Sequence, residues 1–369
     1  MKRALFLKIG AFSNINQSVI SQLKNNFPDF EIDILDINDL VKQDLFSLTN
    51  KFYLAKEYGI DILQRKKYWR DWAIVTSYLF KLIKKKLHLY ANGKNYTFTF
   101  QTQSLFDGSI EGIPHFLYTD STVLANRQYP GLEPETYMKS APWMKFEKQI
   151  YQNAAVNFTF SQNQSDSIIN DYGIDASRVV CVYAGSNTPP PAAQSHNYGT
   201  KNILFVGVNW ERKGGPVLEQ AFKQVLAKHP DASLTIVGCS PTVNTPNTHI
   251  IGRIPLQQVE AYYNKATIFC MPTRQEPFGI AFIEAMQRRL PVVSSTIGAV
   301  PEIIINNKSG LLYHPDNVKG FADGLTYLLD NPSVCAEFGE TGYHRYEEYY
   351  TWDNSGKRMK AIIDGIINS

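Results

Sequence analysis

Short apolar runs recur along the whole chain, separated by polar loops and by stretches of helical period. In the first half, residues 4–9, 31–37, 96–101, 115–119, 157–161 and 178–183 read as short buried strands. Helical patterns such as 16–26 and 144–153 lie between several of them. Strands that alternate with helices predict a parallel sheet covered on both faces. Ligands of such sheets bind at the carboxyl ends of the strands, which singles out the loops at 10–14, 101–107 and 120–125. The second half repeats the pattern more cleanly, with strands expected at 202–206, 233–237, 249–251, 266–271, 291–294 and 311–313. Between the halves, residues 186–200 are rich in proline and polar side chains without periodicity, the mark of a linker. The expected organisation is therefore a domain over 1–185, a linker over 186–200, a second domain over 201–350 and a helical tail over 351–369.

Composition narrows the class without naming a function. The 369 residues are 44% apolar and 19% charged with a net charge of +3, ordinary values for a soluble α/β protein and no argument for a nucleic-acid partner. No run approaches the ~18 apolar residues that span a membrane. The N-terminus begins like a signal peptide, but Lys8 interrupts an apolar stretch too short for one, so a cytoplasmic location is expected. The four cysteines are scattered, which favours buried free thiols. The histidines lack ligand spacing, so no protein-held metal is expected. Residues 65–86 stand apart: eight basic side chains and Trp69, Trp72, Tyr78 and Phe80 surround an apolar centre. That stretch reads either as a helix lying on an anionic membrane face or as a core helix with solvated lysines.

The chemistry concentrates in residues 273–302. Glu276 follows an apolar strand, Glu284 lies on the apolar helix after it, and Pro277, Phe278 and Gly279 stand between. Proline is tolerated in a first helical turn, and glycine lets a ligand approach the backbone. A helix start offers unpaired N–H groups and a positive dipole end, which bind phosphate. Carboxylates beside it can accept hydrogen bonds from sugar hydroxyls. Arg212 and Lys213, in a glycine-containing strand-to-helix loop at 207–215, are placed to clasp a diphosphate. Gly10 stands alone, without the fingerprint of a nicotinamide site.

The runs EPFGIAFIEAM, LPVVSS, IGAVPE and NKSGLL together resemble the donor-site signature of the retaining family 4 glycosyltransferases, within glycosyl transferases group 1. The resemblance extends from about residue 201 to the C-terminus and more weakly through the first half. It implies a GT-B fold, two Rossmann-like domains with parallel sheets facing across a cleft, whose tail helix returns to the first domain. It also implies that Glu284 holds the nucleotide ribose and Glu276 the donor sugar hydroxyls. Backbone around Phe278, Gly279, Ile280 and Ala281 would meet the sugar or diphosphate, and Arg253 and Ile254 the base.

Lys213 matches the family pattern. Val208 stands where an arginine is usual, so Arg212 is assigned that charge from another place. Asp120 ends a strand near the position of a family histidine. It reads equally as a contact to sugar or acceptor hydroxyls and as a helix N-cap. The implied reaction is metal-free hexosyl transfer with retention. The nucleotide-sugar donor, UDP-linked by preference over GDP-linked, is a co-substrate rather than a cofactor. The implied acceptor is a glycan, lipid-linked or small-molecule hydroxyl. The departures at Val208 and Asp120 leave open a binding protein without turnover, or another GT-B chemistry.

Overall fold

A computed structural model describes residues 2–12, 15–191 and 198–368. The centre of the expected linker, 192–197, and residues 13–14 of the first strand's loop lie outside the described residues. Contacts divide the chain into two units: Met1–Arg127, Gly131–Tyr183 and Ser355–Ser369 form one, Gln128–Pro130 and Ala184–Asn354 the other.

The first unit opens with β1 (Lys2–Lys8), α1 (Ile15–Asn26) and β2 (Phe30–Asp36). Four helices follow: α2 (Ile37–Val41), α3 (Leu48–Leu63), α4 (Trp69–Trp72) and α5 (Ser77–Ala91). Then come β3 (Phe98–Thr102), β4 (His115–Thr119), α6 (Pro134–Tyr137), α7 (Ala141–Asn153), β5 (Val156–Thr159), α8 (Gln162–Asn170) and β6 (Val179–Cys181). The strands form one parallel sheet in the order β2-β1-β3-β4-β5-β6. Its central strands, FTFQT, HFLYT and VNFT, are buried along their whole length although polar residues stand among the apolar ones. Where polar residues intrude they are paired: Thr99 meets His115 Nδ1 at 2.7 Å, and Gln101 donates to the carbonyls of Gln103 and Phe106 at 2.7 Å each. Burial holds the His115 ring neutral, pulling it down to about 4.

The second unit begins with β7 (Asn202–Val206), α9 (Gly215–Leu226), β8 (Ser233–Val237), β9 (Thr248–Gly252) and α10 (Leu256–Lys265). It continues through β10 (Ile268–Met271), α11 (Ile280–Gln287), β11 (Val292–Ser295), α12 (Val300–Ile303) and β12 (Gly310–Tyr313). Helices α13 (Val318–Asp330) and α14 (Pro332–Tyr349) complete this unit, and α15 (Trp352–Ile367), counted from Ser355 on with the first unit, closes the chain. This sheet is also parallel, in the order β12-β11-β10-β7-β8-β9. The order reverses between β7 and β10, and ligands of open α/β sheets bind at such a switch point.

Three sequence readings meet the structure. First, residues 65–86 divide over α4, a short 3-10 turn and α5, and α5 follows the core-helix reading. Leu79, Phe80, Ile83 and Leu87 of α5 are buried, while Lys84 pairs with Asp107 at 2.8 Å and Lys86 with Asp44 at 2.6 Å. The apolar side of α5 is worth more against the sheet than anywhere else, because burial there removes it fully from water. Second, the start of the expected linker is not free: Ser186 and Thr188 are buried and bonded to Gln287 Oε1 at 3.0 and 3.2 Å. Third, only Cys270 and Cys335 are buried, whereas Cys181 and Cys239 are half-buried.

Two glycines set the geometry at the switch point. Gly214 has φ +75°, and a Cβ there would lie 1.7 Å from the Pro272 carbonyl oxygen. Gly298 has φ +54°, and its Cβ would lie 2.0 Å from the Glu276 carbonyl oxygen. Both close approaches are backbone against backbone, so no rotamer change relieves them. Gly214→Ala is expected to destabilise the protein by about 3 kcal/mol, read from the midpoint of urea unfolding.

Candidate functional site

The loops after β7 and β10 carry the charged groups of the second unit's switch point. Lys213, at the end of the first loop, forms a buried ion pair with Glu276 in the second. Burial pulls the Lys213 ammonium below its ordinary range, Glu276 opposes that shift, and neighbouring Arg212 adds to it. Arg212 itself is half-buried; its Nη1 donates to the Gln275 carbonyl at 3.1 Å, and its N–H donates to Asn209 Oδ1 at 2.9 Å. Two cations thus stand against one carboxylate in a poorly hydrated corner. That imbalance favours a further anion.

The helix beginnings face the same way in the fold. Gly279, at φ +108°, caps α11, and a Cβ on it would meet Phe282 Cδ2 at 2.5 Å. Phe278 is buried, Ile280 and Ala281 open the helix, and the first N–H groups of a helix have no intrahelical partner. Pro277 lies before the helix rather than in its first turn.

Glu284, one helical face further on, is buried and accepts from the Tyr263 hydroxyl at 2.9 Å. Burial pushes its carboxyl up to about 7, against the Tyr263 hydrogen bond, the Arg288 charge and the Asn187 backbone N–H. Burial, with Glu284 beside it, holds the Tyr263 hydroxyl protonated and well above its usual range, so it remains a donor. Tyr263 on α10, Arg288 after α11 and Asn187 ahead of β7 went unmarked in the sequence. Tyr263 and Asn187 reach Glu284 from distant places in the chain, whereas Arg288 lies one helical turn after it. Arg288 ties these parts together, donating to Thr188 Oγ1 and to the Pro189 carbonyl at 2.8 Å each.

Arg253 is exposed and Ile254 half-buried, following edge strand β9. Val208 is 61% exposed. Asp120 belongs to the first unit, half-buried directly after β4, where it lines a cavity of about 190 Å³ with Gln103, Ser121, Lys139 and Glu147. Loss of hydration brings the Lys139 ammonium down to about 8, and burial pushes the Glu147 carboxyl up. Among the described residues, no three His, Cys, Asp or Glu side chains group as a metal-holding set.

Residues 191–345, which span every one of these second-unit loops, match the family model of the glycosyl transferases group 1. A relative from Corynebacterium glutamicum, a GDP-mannose-dependent monoacylated phosphatidylinositol monomannoside mannosyltransferase, is 32% identical over 41% of this chain and 44% of its own length. The chain spans about half the length of the curated relatives it matches. Among solved structures, sucrose-phosphate synthase from Thermosynechococcus elongatus is similar over 100% of both chains, with a TM-score of 0.73 and 16% identity. HepE from Anabaena, solved with UDP-glucose, is similar over 99% of this chain and 100% of its own, with a TM-score of 0.68 and 13% identity. The shared fold is GT-B, and the group 1 region lies within its second parallel sheet.

The Glu284 environment sets a pH dependence. In the unfolded chain the carboxyl releases its proton near 4.5, and in the folded chain near 7. Between those values the folded state binds more protons, so this group lowers stability as pH rises through that window and no further above it. The contribution is on the order of 3 kcal/mol. Glu284→Gln is expected to remove that part of the slope when melting temperature is followed from pH 4.5 to 8.

Proposed function

We propose that this protein is a retaining glycosyltransferase that moves a hexosyl group from a nucleotide-diphosphate sugar to a hydroxyl acceptor. The observation that carries this reading is the Lys213–Glu276 pair beside Arg212 at the switch point of a group 1 region. In this reading Arg212, Lys213 and the N–H groups at the start of α11 receive the diphosphate. Glu276 accepts from the donor sugar hydroxyls and Glu284 from the ribose. Arg253 and Ile254 border the base, and Asp120 serves sugar or acceptor hydroxyls in the first unit. The acceptor oxygen bonds to the anomeric carbon as the bond from that carbon to the diphosphate breaks. The electron pair leaves with the diphosphate, and the acceptor proton passes to a phosphate oxygen. The growing negative charge lies where Arg212 and Lys213 already stand, which is electrostatic preorganisation for the transition state.

A UDP-sugar is the favoured donor, in keeping with the UDP-glucose held by HepE. The named C. glutamicum relative uses GDP-mannose, so the two bases are the first to compare. The acceptor is assigned as a glycan, a lipid-linked sugar or a small hydroxylated molecule.

Binding is tested by thermal shift. The matching nucleotide at a hundred times its Kd should stabilise the fold by ~2.7 kcal/mol. A flat melting temperature across UDP, GDP, ADP and their sugar conjugates would remove the donor-site assignment. Turnover is tested with Glu276→Gln and Lys213→Met, each checked first for native circular dichroism. Both should lower kcat/KM by about a hundredfold or more, and wild-type rates in both would refute the mechanism. Because the cations here are side chains, the rate should be unchanged by a chelator of divalent metals.

A further inference from the structure

Helix α3 carries a second apolar side in addition to the one it packs against the protein. At about 100° per residue, Leu48, Gly59, Phe52 and Leu63 fall within an arc of roughly 60° on one side. That side faces solvent: Leu48 is 84% exposed, Phe52 65% and Leu63 85%. Ile60, just beyond the arc, is 73% exposed. The side turned to the protein packs Leu54 and Tyr58 into the core and also carries polar groups. Asn50 donates to the Leu45 and Ala73 carbonyls at 2.8 and 3.0 Å, and Glu57 accepts from the Ser77 N–H at 3.1 Å and the Ser140 hydroxyl at 2.8 Å. Asp61 is paired with buried Lys67. A surface helix ordinarily keeps its outer side polar, and a large exposed apolar stripe marks an interaction surface.

The charges around the stripe identify what it meets. Lys51 and Lys56 flank it on either side, and Arg65, Lys66 and Arg70 continue beyond its C-terminal end. All five are exposed, and Asp71 is the exposed acid among them, with Lys66 also within 3.8 Å of Glu135. Tyr68 and Trp69, both exposed, sit beside the stripe, and Phe46 packs edge-on against Trp69 at 5.9 Å. A second copy across a two-fold axis would set this basic rim against itself. An apolar stripe bounded by cations and amphipathic aromatics instead fits the headgroup level of an anionic bilayer.

We propose that the exposed face of α3, with the segment 65–70, docks this protein on anionic phospholipid membranes as a peripheral, non-spanning contact. No described helix is long and apolar enough to cross a membrane, so the contact is one of lying on the surface. The surface differs from the donor-site residues and does not depend on the proposed reaction.

The full-length protein is floated with phosphatidylcholine vesicles, with and without phosphatidylglycerol. It should rise with the anionic vesicles and much less with neutral ones, and added salt should weaken the association. The triple variant Leu48→Ser, Phe52→Ser, Leu63→Ser removes only exposed side chains and should keep the native circular dichroism and melting curve. Its partitioning should fall by on the order of tenfold or more. Replacing Lys51, Lys56 and Arg70 with glutamine should abolish the preference for anionic over neutral vesicles. Absence of wild-type flotation, or flotation unaffected by the triple variant, overturns the proposal. So does a lipid-free dimer by light scattering that the triple variant converts to monomer, since the stripe would then be covered by a second copy.

Discussion

The buried pair between Lys213 and Glu276 fastens two loops that leave neighbouring strands in opposite directions of chain order. Neither charge is supported by water, so each depends on the other, and separating such a pair typically costs about 3–5 kcal/mol. That dependence fixes the distance between the loops. The glycines answer to it: Gly214 lets the Pro272 carbonyl come close enough, and Gly298 leaves room for the Glu276 carbonyl from the other side. The orientation of α9 and α11, which start at these loops, follows from the same close approach.

Glu276 and Glu284 are near in sequence yet live in different electrostatic settings. Glu276 has a cation in direct contact, whereas Glu284 is held mainly by a neutral hydroxyl, with the Arg288 charge acting over a longer range. One site thus contains a carboxylate in direct contact with a cation and another that burial raises to about 7. The second arrangement depends on Ser186, Asn187 and Thr188, so the chain entering the second unit is part of the structure around the helix rather than a passive tether.

The strands of both sheets were legible because short segments rich in apolar and β-branched residues, bounded by polar loops, mark strands even where polar residues interrupt them, and the twelve strands lie within a few residues of their expected places. The glutamates and the Arg212–Lys213 dipeptide were legible because a strand, a loop and a helix start encode their placement locally. The partners of Glu284 were not, since Tyr263 and Asn187 arrive through tertiary folding alone. Nor could residues 65–86 be resolved by pattern: basic flanks around an apolar centre describe α5, which turns inward. Helix α3 posed the complementary difficulty. Periodicity shows that a helix has two faces, but not which of them the fold turns outward.

The seam beneath α3 has a thermal consequence. Apolar attachment weakens on cooling, because its driving force near room temperature is the entropy of water. Helix α3 adds to its packed Leu54 and Tyr58 a set of polar fastenings: Asn50, Glu57, the Tyr58 hydroxyl on the Val75 carbonyl at 2.9 Å, and the Asp61–Lys67 pair. These bonds are directional and do not fade in the cold as apolar packing does. They hold the helix in one rotational setting, so its outward side stays outward at temperatures where an ordinary amphipathic helix would begin to loosen from its core.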